Sequence, residues 1–164
     1  MVQLLRDSKK EHAEHTMVVD LLRNDLSIIA NNVTVKSFRT PIKISAGDKN
    51  LYQTVSTIEG ELESDWRAKL GDILYALLPA GSISGAPKRS SVEIINRVEG
   101  FERGYFTGVF GYFDGERLDS AVSIRFIEKT KDGYVYKSGG GITVDSDPKL
   151  EYEEMIEKVY IPSL

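Results

Sequence analysis

Two pairs of glutamates, Glu11 and Glu14 in KEHAEH and Glu151 and Glu154 in LEYEEMIEK, are the groups best equipped for chemistry in this chain. Each pair is spaced i, i+3, which on a helix places both side chains on one face about one turn apart. If the two helices meet, the carboxylates converge, and that charge density requires a cation. A hard, oxygen-preferring ion such as Mg²⁺, held by one or two carboxylates and by substrate oxygens, suits them. The same spacing also fits two ordinary solvated helix faces.

Arg125 is the next candidate. Alternation along AVSIRFI puts Val122, Ile124 and Phe126 on one face and Ala121, Ser123 and Arg125 on the other. A guanidinium among small neighbours presents planar paired donors to an anionic ligand, or pairs with a nearby acid as a structural ion pair. The runs Ser138–Gly141 and Ala80–Gly85 offer small side chains and backbone N–H groups, the equipment for cradling a carboxylate or phosphate. Neither run matches a nucleotide-binding glycine motif, and each can equally be a turn. Lys158 follows Glu154 by four residues, an ion-pair spacing that also serves plain helix support. His12 and His15 lack a metal-type partner set and read as surface or packing residues.

The elements that must carry these groups follow from periodicity. About Val2 to Ile29 has the length of an amphipathic helix, interrupted or ending near RNDLS, with Leu5, Met17, Leu21 and Leu22 on its apolar stripe and Glu11 and Glu14 off it. NVTVKSF alternates as a strand, a loop with Pro41 and Gly47 follows, and YQTVSTIEGEL is a second strand. WRAKLGDILYALL is a helix capped at Ser64 or Asp65 and ended by Pro79. A further helix begins near Pro87 and runs to about Val98. YFTGVFGYF, LDSAVSIRFIE and YVYKS form a three-stranded antiparallel meander through turns at Asp114-Gly115 and Asp132-Gly133. A last helix is capped by Asp147, with Pro148 in its first turn. His12, His15 and the two Glu pairs thus lie on the first and last helices of the chain.

Composition narrows the function classes. At 164 residues and 18.3 kDa a single core is expected, burying about 68–70% of the unfolded chain's surface. No apolar run reaches the roughly 18 residues of a membrane span. The start of the chain carries charge where a signal peptide needs an apolar stretch, so export is not expected. The absence of cysteine excludes disulfides, thiolate metal sites and cysteine catalysis. A net charge of -4 lacks the basic footprint of a nucleic-acid binder.

The ordered set EHAEHTMVVDLLRNDLS, PAGSISGAPKRSSVEIIN, RGYFTGVFGYF, DSAVSIRF, SGGGITVDSDP and EYEEMIEK resembles the C-terminal part of the chorismate-utilising enzymes. That family includes aminodeoxychorismate synthase component I, anthranilate synthase component I, and the isochorismate and salicylate synthases. The DLLRND form of the first motif is most similar to the aminodeoxychorismate branch. The resemblance implies an α+β fold in which antiparallel sheets pack with helices around a buried active site. It also implies Mg²⁺ bridging the chorismate carboxylate to Glu14 and Glu154, with Glu11 and Glu151 as their water-holding companions. Arg125 and the backbone of Gly139, Gly140 and Gly141 would hold substrate carboxylate. Ser82 would lie near the ring and Lys158 close to the metal-bound carboxylate.

Three departures accompany it. Gln53 stands where the family usually carries a histidine, which puts proton transfer from that position in doubt. Phe106 stands at a substrate-facing position where related enzymes often have tyrosine, so a hydroxyl contact is lost. The family's enzymes are typically at least twice this length, and their upstream half supplies the catalytic lysine or its substitute and a general-acid glutamate. Residues 1–164 are therefore expected to be the C-terminal portion of a chorismate-binding domain, with no catalytic nucleophile or acid of its own and no turnover in isolation. Lys43, in TPIKIS, lies downstream of the first helix and is rejected as that lysine. For the parent enzyme the resemblance implies Mg²⁺-dependent amination of chorismate at C4 toward para-aminobenzoate and folate, with ammonia from a glutamine amidotransferase subunit, in the cytoplasm. Anthranilate synthase and a non-catalytic half-site module are the competing readings. Exposed sheet edges are expected to favour self-association.

Overall fold

The computed structural model describes residues 9–46 and 49–159, without the side chains of residues 9–11, 44–46 and 49–51. Val2, Leu5 and the tip at Gly47 and Asp48 lie outside the described residues. The chain divides into two compact units, residues 1–100 and 101–164.

The first unit opens with helix α1 (Lys9–Ile29). Of its expected apolar stripe, Leu21 and Leu22 are half-buried while Met17 is exposed; the buried positions are Val19 and, unexpectedly for a carboxylate, Asp25. A long antiparallel hairpin follows, β1 (Asn31–Ala46) and β2 (Lys49–Glu61), in a register that sets Val35 opposite Ile58 and Lys43 opposite Tyr52. The loop expected from Pro41 is therefore strand, with Pro41 opposite Thr54. A two-stranded ladder directs every second N–H outward, so a residue without one is tolerated there. The register slips between Ser37 and Thr40, where Arg39 has a φ of 48°. A bulge of this kind leaves a ladder N–H unpaired, and the Ser56 hydroxyl accepts it at 3.0 Å.

Residues 63–69 then wind through i to i+3 turns before α2 (Leu70–Leu77). That helix starts later than the expected cap at Ser64 or Asp65, and neither side chain caps it. Instead Lys69 ion-pairs with Asp65 at 2.9 Å and Glu63 at 3.2 Å across the preceding turn. A one-turn helix α3 (Gly81–Ser84) and α4 (Lys88–Val98) complete the unit.

The second unit holds β3 (Val109–Phe113), β4 (Leu118–Val122), β5 (Phe126–Thr130), β6 (Gly133–Lys137) and α5 (Pro148–Glu157). The expected three-stranded meander is replaced by two separate hairpins, β3 with β4 and β5 with β6. The break falls at Ser123–Arg125, inside the stretch whose alternation reads as one strand. Ser123 leaves the ladder because its N–H and C=O bond Gly108 O and Thr107 N, each at 2.8 Å. The Asp114 carboxylate accepts the Glu116 and Arg117 N–H groups at 2.8 and 2.7 Å and closes the first turn. The second turn is Lys131-Asp132, with Gly133 already paired to Thr130. Asp147 caps α5 as expected, accepting from Lys149 N and Leu150 N, ahead of Pro148.

The single tightly packed core expected from chain length is not found among the described residues. Val19 is their one buried hydrophobic side chain, and Phe110, Tyr112, Tyr134 and Val144 stand largely in the open. Two-stranded hairpins have two open faces, and an apolar side chain on either is covered only where another element packs on it.

Candidate functional site

In the first unit, Glu14 is half-buried on α1, and its neighbours are held firmly. His15 Nε2 lies 2.7 Å from the Ser56 hydroxyl, the same oxygen that accepts Arg39 N–H. The His12 and His15 rings both meet Phe38 edge-on, with centroids 5.8 and 5.5 Å away. Both histidines thus act as packing residues that fix the turn of α1 bearing Glu14. Glu11 lies on α1, but its side chain is outside the described residues. Gln53 is exposed on β2, opposite Ile42. Lys43 is exposed on β1 rather than in a loop.

Ser82 is exposed on α3. The expectation that the backbone N–H groups of Ala80–Gly85 are open to a ligand needs correction. Ile83 and Ser84 donate to Ala80 O, Gly85 donates to Gly81 O, and Gly81 donates to the Asp25 carboxylate at 2.7 Å. The turn consumes these donors in its own closure and in an anchor to α1. The other Asp25 oxygen accepts Lys88 Nζ at 2.7 Å. This part-buried pair was not singled out from the sequence. A signal for it existed: Asp25 follows Glu14 by eleven residues, just over three helical turns, and so shares its face.

In the second unit, Arg125 is exposed just beyond the clamp at Ser123 and adopts a φ of 52°, a left-handed conformation unusual for a residue with a long side chain. The strand-face placement read from alternation is replaced by this break. No acid among the described residues pairs with Arg125, so the structural ion pair held open from sequence is absent among them. Phe106 is half-buried, and its Cζ lies 3.2 Å from where a Cβ on Gly139 would sit. Arg103 covers the same ring at 5.6 Å. Gly139 thus lets the chain pass against Phe106, while Gly140 and Gly141 are exposed with open space where a side chain would stand. Beside them the Ser138 hydroxyl is buried without a hydrogen-bond partner among the described residues.

On α5, Glu151 is half-buried and accepts the Ser146 hydroxyl at 2.7 Å, while Glu154 pairs with Lys158. The i, i+3 glutamates are therefore held separately, one by the loop that precedes the helix and one by its C-terminal residue. Among the described residues no three His, Asp or Glu side chains form a group that could hold a metal. The donor chemistry of either carboxylate, Glu14 in the first unit or Glu154 in the second, is that of the hard oxygen donors Mg²⁺ takes, an ion that keeps water in its remaining positions. A cleft of about 400 Å³ in the first unit, lined in part by Ile28, Trp66, Lys69, Asp72 and Ile73, contains none of the expected site residues.

Comparison with known proteins decides the family. The sequence profile of the chorismate binding enzymes matches residues 1–162. The chain belongs to the chorismate binding enzyme family. It is 52% identical over 158 residues to an uncharacterized PabA-like protein of Pasteurella multocida, covering 96% of this chain and 49% of that protein. It is 42% identical to anthranilate synthase component 1 of a Synechocystis strain, covering 95% of this chain and 31% of that one. With aminodeoxychorismate synthase component 1 of Bacillus subtilis it shares 38% identity over 93% of this chain and 32% of that protein. Among solved structures, a chain described as the 2,3-dihydroxybenzoate-specific isochorismate synthase DhbC of Bacillus anthracis superposes with a TM-score of 0.77 at 26% identity, over 96% of this chain and 41% of that one. The mixed helix and antiparallel-sheet fold is thus that of part of a chorismate-utilising enzyme. The chain spans about half the length of the curated PabA-like relatives it matches. Among the described residues no helix is long and apolar enough to cross a membrane.

Proposed function

We propose that this chain is the C-terminal portion of an aminodeoxychorismate synthase component I, supplying the carboxylate-binding and metal-binding half of the site that aminates chorismate at C4. The observation that supports it most is the family match across residues 1–162, which takes in both glutamate helices, Arg125 and the glycine run. Glu14 and Glu154 would hold Mg²⁺, with Glu151, kept in place by Ser146, and Glu11 orienting its water. Bound there, Mg²⁺ would neutralise a substrate carboxylate. Arg125, unpaired among the described residues, would take a carboxylate with its paired donors, and Gly139, Gly140 and Gly141 would let that group approach the backbone. Phe106 and Ser82 would contact the ring, and Lys158 would sit beside the metal-bound carboxylate through its pairing with Glu154. The acid and nucleophile belong to a further stretch of polypeptide, and ammonia to a glutamine amidotransferase partner.

Anthranilate synthesis is the second reading, favoured by the 42% identity to an anthranilate synthase component. A non-catalytic half-site is the third. Titration calorimetry of chorismate, with and without Mg²⁺, tests the site. Binding should require Mg²⁺ and be lost in Glu14→Gln and in Glu154→Gln. Binding that ignores Mg²⁺ or both substitutions would sink the metal assignment. Mass spectrometry of any product formed with ammonia separates 4-amino-4-deoxychorismate from anthranilate, and no turnover favours the non-catalytic module.

A further inference from the structure

We infer that Asp25 is a positioning residue: with Lys88 it fixes the Gly81–Ser84 turn, and so the placement of Ser82, to the helix that carries Glu14. The inference rests on the reading of Ser82 and Glu14 as ligand-facing groups. Its geometry comes from two hydrogen bonds and the close approach of the turn to the helix. Asp25 is 8% exposed, and its two carboxylate oxygens are divided between partners, one for Gly81 N–H and one for Lys88 Nζ, each at 2.7 Å. Position 81 has no room for a side chain, since a Cβ there would stand 2.8 Å from Asp25 Oδ2 and 3.2 Å from Leu21 Cβ. The turn therefore lies directly on α1.

Burying a carboxylate is unfavourable unless its lone pairs are occupied by a counter-charge and hydrogen bonds. Here Lys88, from the helix just after the turn, supplies the charge, and Gly81, the first residue of the turn, supplies the N–H. The clamp thus grips the turn on both sides of Ser82. Eleven residues at 1.5 Å per residue separate Asp25 from Glu14 by roughly 16 Å along one face of a continuous helix. A rigid rod then carries both the anchor of the ring-facing turn and the carboxylate expected to meet the metal. Local turn residues alone would close the turn but would not set where it stands on α1.

The test uses the full chain in four forms: wild type, Asp25→Asn, Lys88→Gln and the double substitution. Asp25→Asn keeps an acceptor for Gly81 N–H but leaves the Lys88 ammonium without its counter-charge. The double variant restores a neutral hydrogen-bonded pair. Amide hydrogen exchange at residues 81–85 should accelerate in each single variant and slow again in the double, while exchange in the middle of α1 stays unchanged. Chorismate affinity in the presence of Mg²⁺ should fall roughly tenfold to a hundredfold in Asp25→Asn, the range set by a charged hydrogen bond, and recover in the double variant. Recovery separates positioning from a direct role of the Asp25 charge, which the double variant would not restore. Unchanged exchange at residues 81–85 in the single variants overturns the inference, as does accelerated exchange with unaltered chorismate affinity. If the wild type binds no chorismate, the reading of the site fails, and the exchange result alone upholds or overturns the clamp.

Discussion

In the first unit the segment bearing Ser82 is bound to a helix 56 residues away in sequence by a buried carboxylate. In the second, Arg125 and Gly139–Gly141 lie on irregular chain flanking one short hairpin, held by short backbone bonds and by the ring of Phe106. The polar contacts of the second unit are mostly exposed or half-exposed: Asp147 over the start of α5, Asp114 in its turn, Lys158 with Glu154. The two arrangements differ in what they risk. A contact built on a buried carboxylate is costly to break, because the backbone N–H it holds is left buried and unsatisfied. Exposed caps and pairs forfeit little when removed, because water replaces them.

This contrast can be broken by measurement. Asp25→Ala should destabilise the chain by about 2–3 kcal/mol, since it leaves the buried Gly81 N–H without its acceptor and removes the partner of the part-exposed Lys88 ammonium; urea denaturation reads it as a lower midpoint. Asp147→Ala, in the second unit, should cost only about 1 kcal/mol, the usual loss for an N-cap. Equal shifts for the two would erase the distinction between the units.

The smallest effect belongs to the turn before α2. Its hydrogen bond to Lys69 is the main reason the Asp65 carboxyl is held below its ordinary value, and the same bond is the first cause of the rise at Lys69. A depressed carboxyl contributes above its unfolded value, about 3.9, and loses that contribution as pH falls through its folded value. A raised amine contributes below about 10.4 and loses it as pH climbs through its folded value. Both groups are exposed to solvent, so the turn should hold between these limits and loosen beyond either, with salt weakening it throughout. Circular dichroism of Lys69→Met across pH should lack both edges. A midpoint shift at neutral pH as large as that of Asp25→Ala would contradict the ranking.

Features encoded within a few residues were legible in the sequence. Asp147-Pro148 announced the start of α5, KRSSVEIINRV its helix, and the motif set its family, because caps, periodicity and motifs are local. The break at Ser123–Arg125 was not, since alternation continues through Ala121–Phe126 while the competing partners, Thr107 and Gly108, lie some sixteen residues upstream. Pro41 read as a strand-breaker because its position on a two-stranded ladder was unknown. Asp25 looked like one more polar residue of a helix until Gly81 and Lys88 were found around it.

By itself the sequence determined most of the helices, the spacing of the acid pairs and the membership in a chorismate binding family, all of which follow from residue type and short spacing. Only the tertiary structure decided which groups are already spoken for. It spent the N–H groups of Gly81, Ile83 and Ser84 on closure and anchoring, set Phe106 against Gly139, gave Glu154 to Lys158 and Glu151 to Ser146, and left Arg125 without an acid among the described residues. Whether a polar group is free for a ligand depends on neighbours brought near by chain folding, and residue spacing carries no record of them.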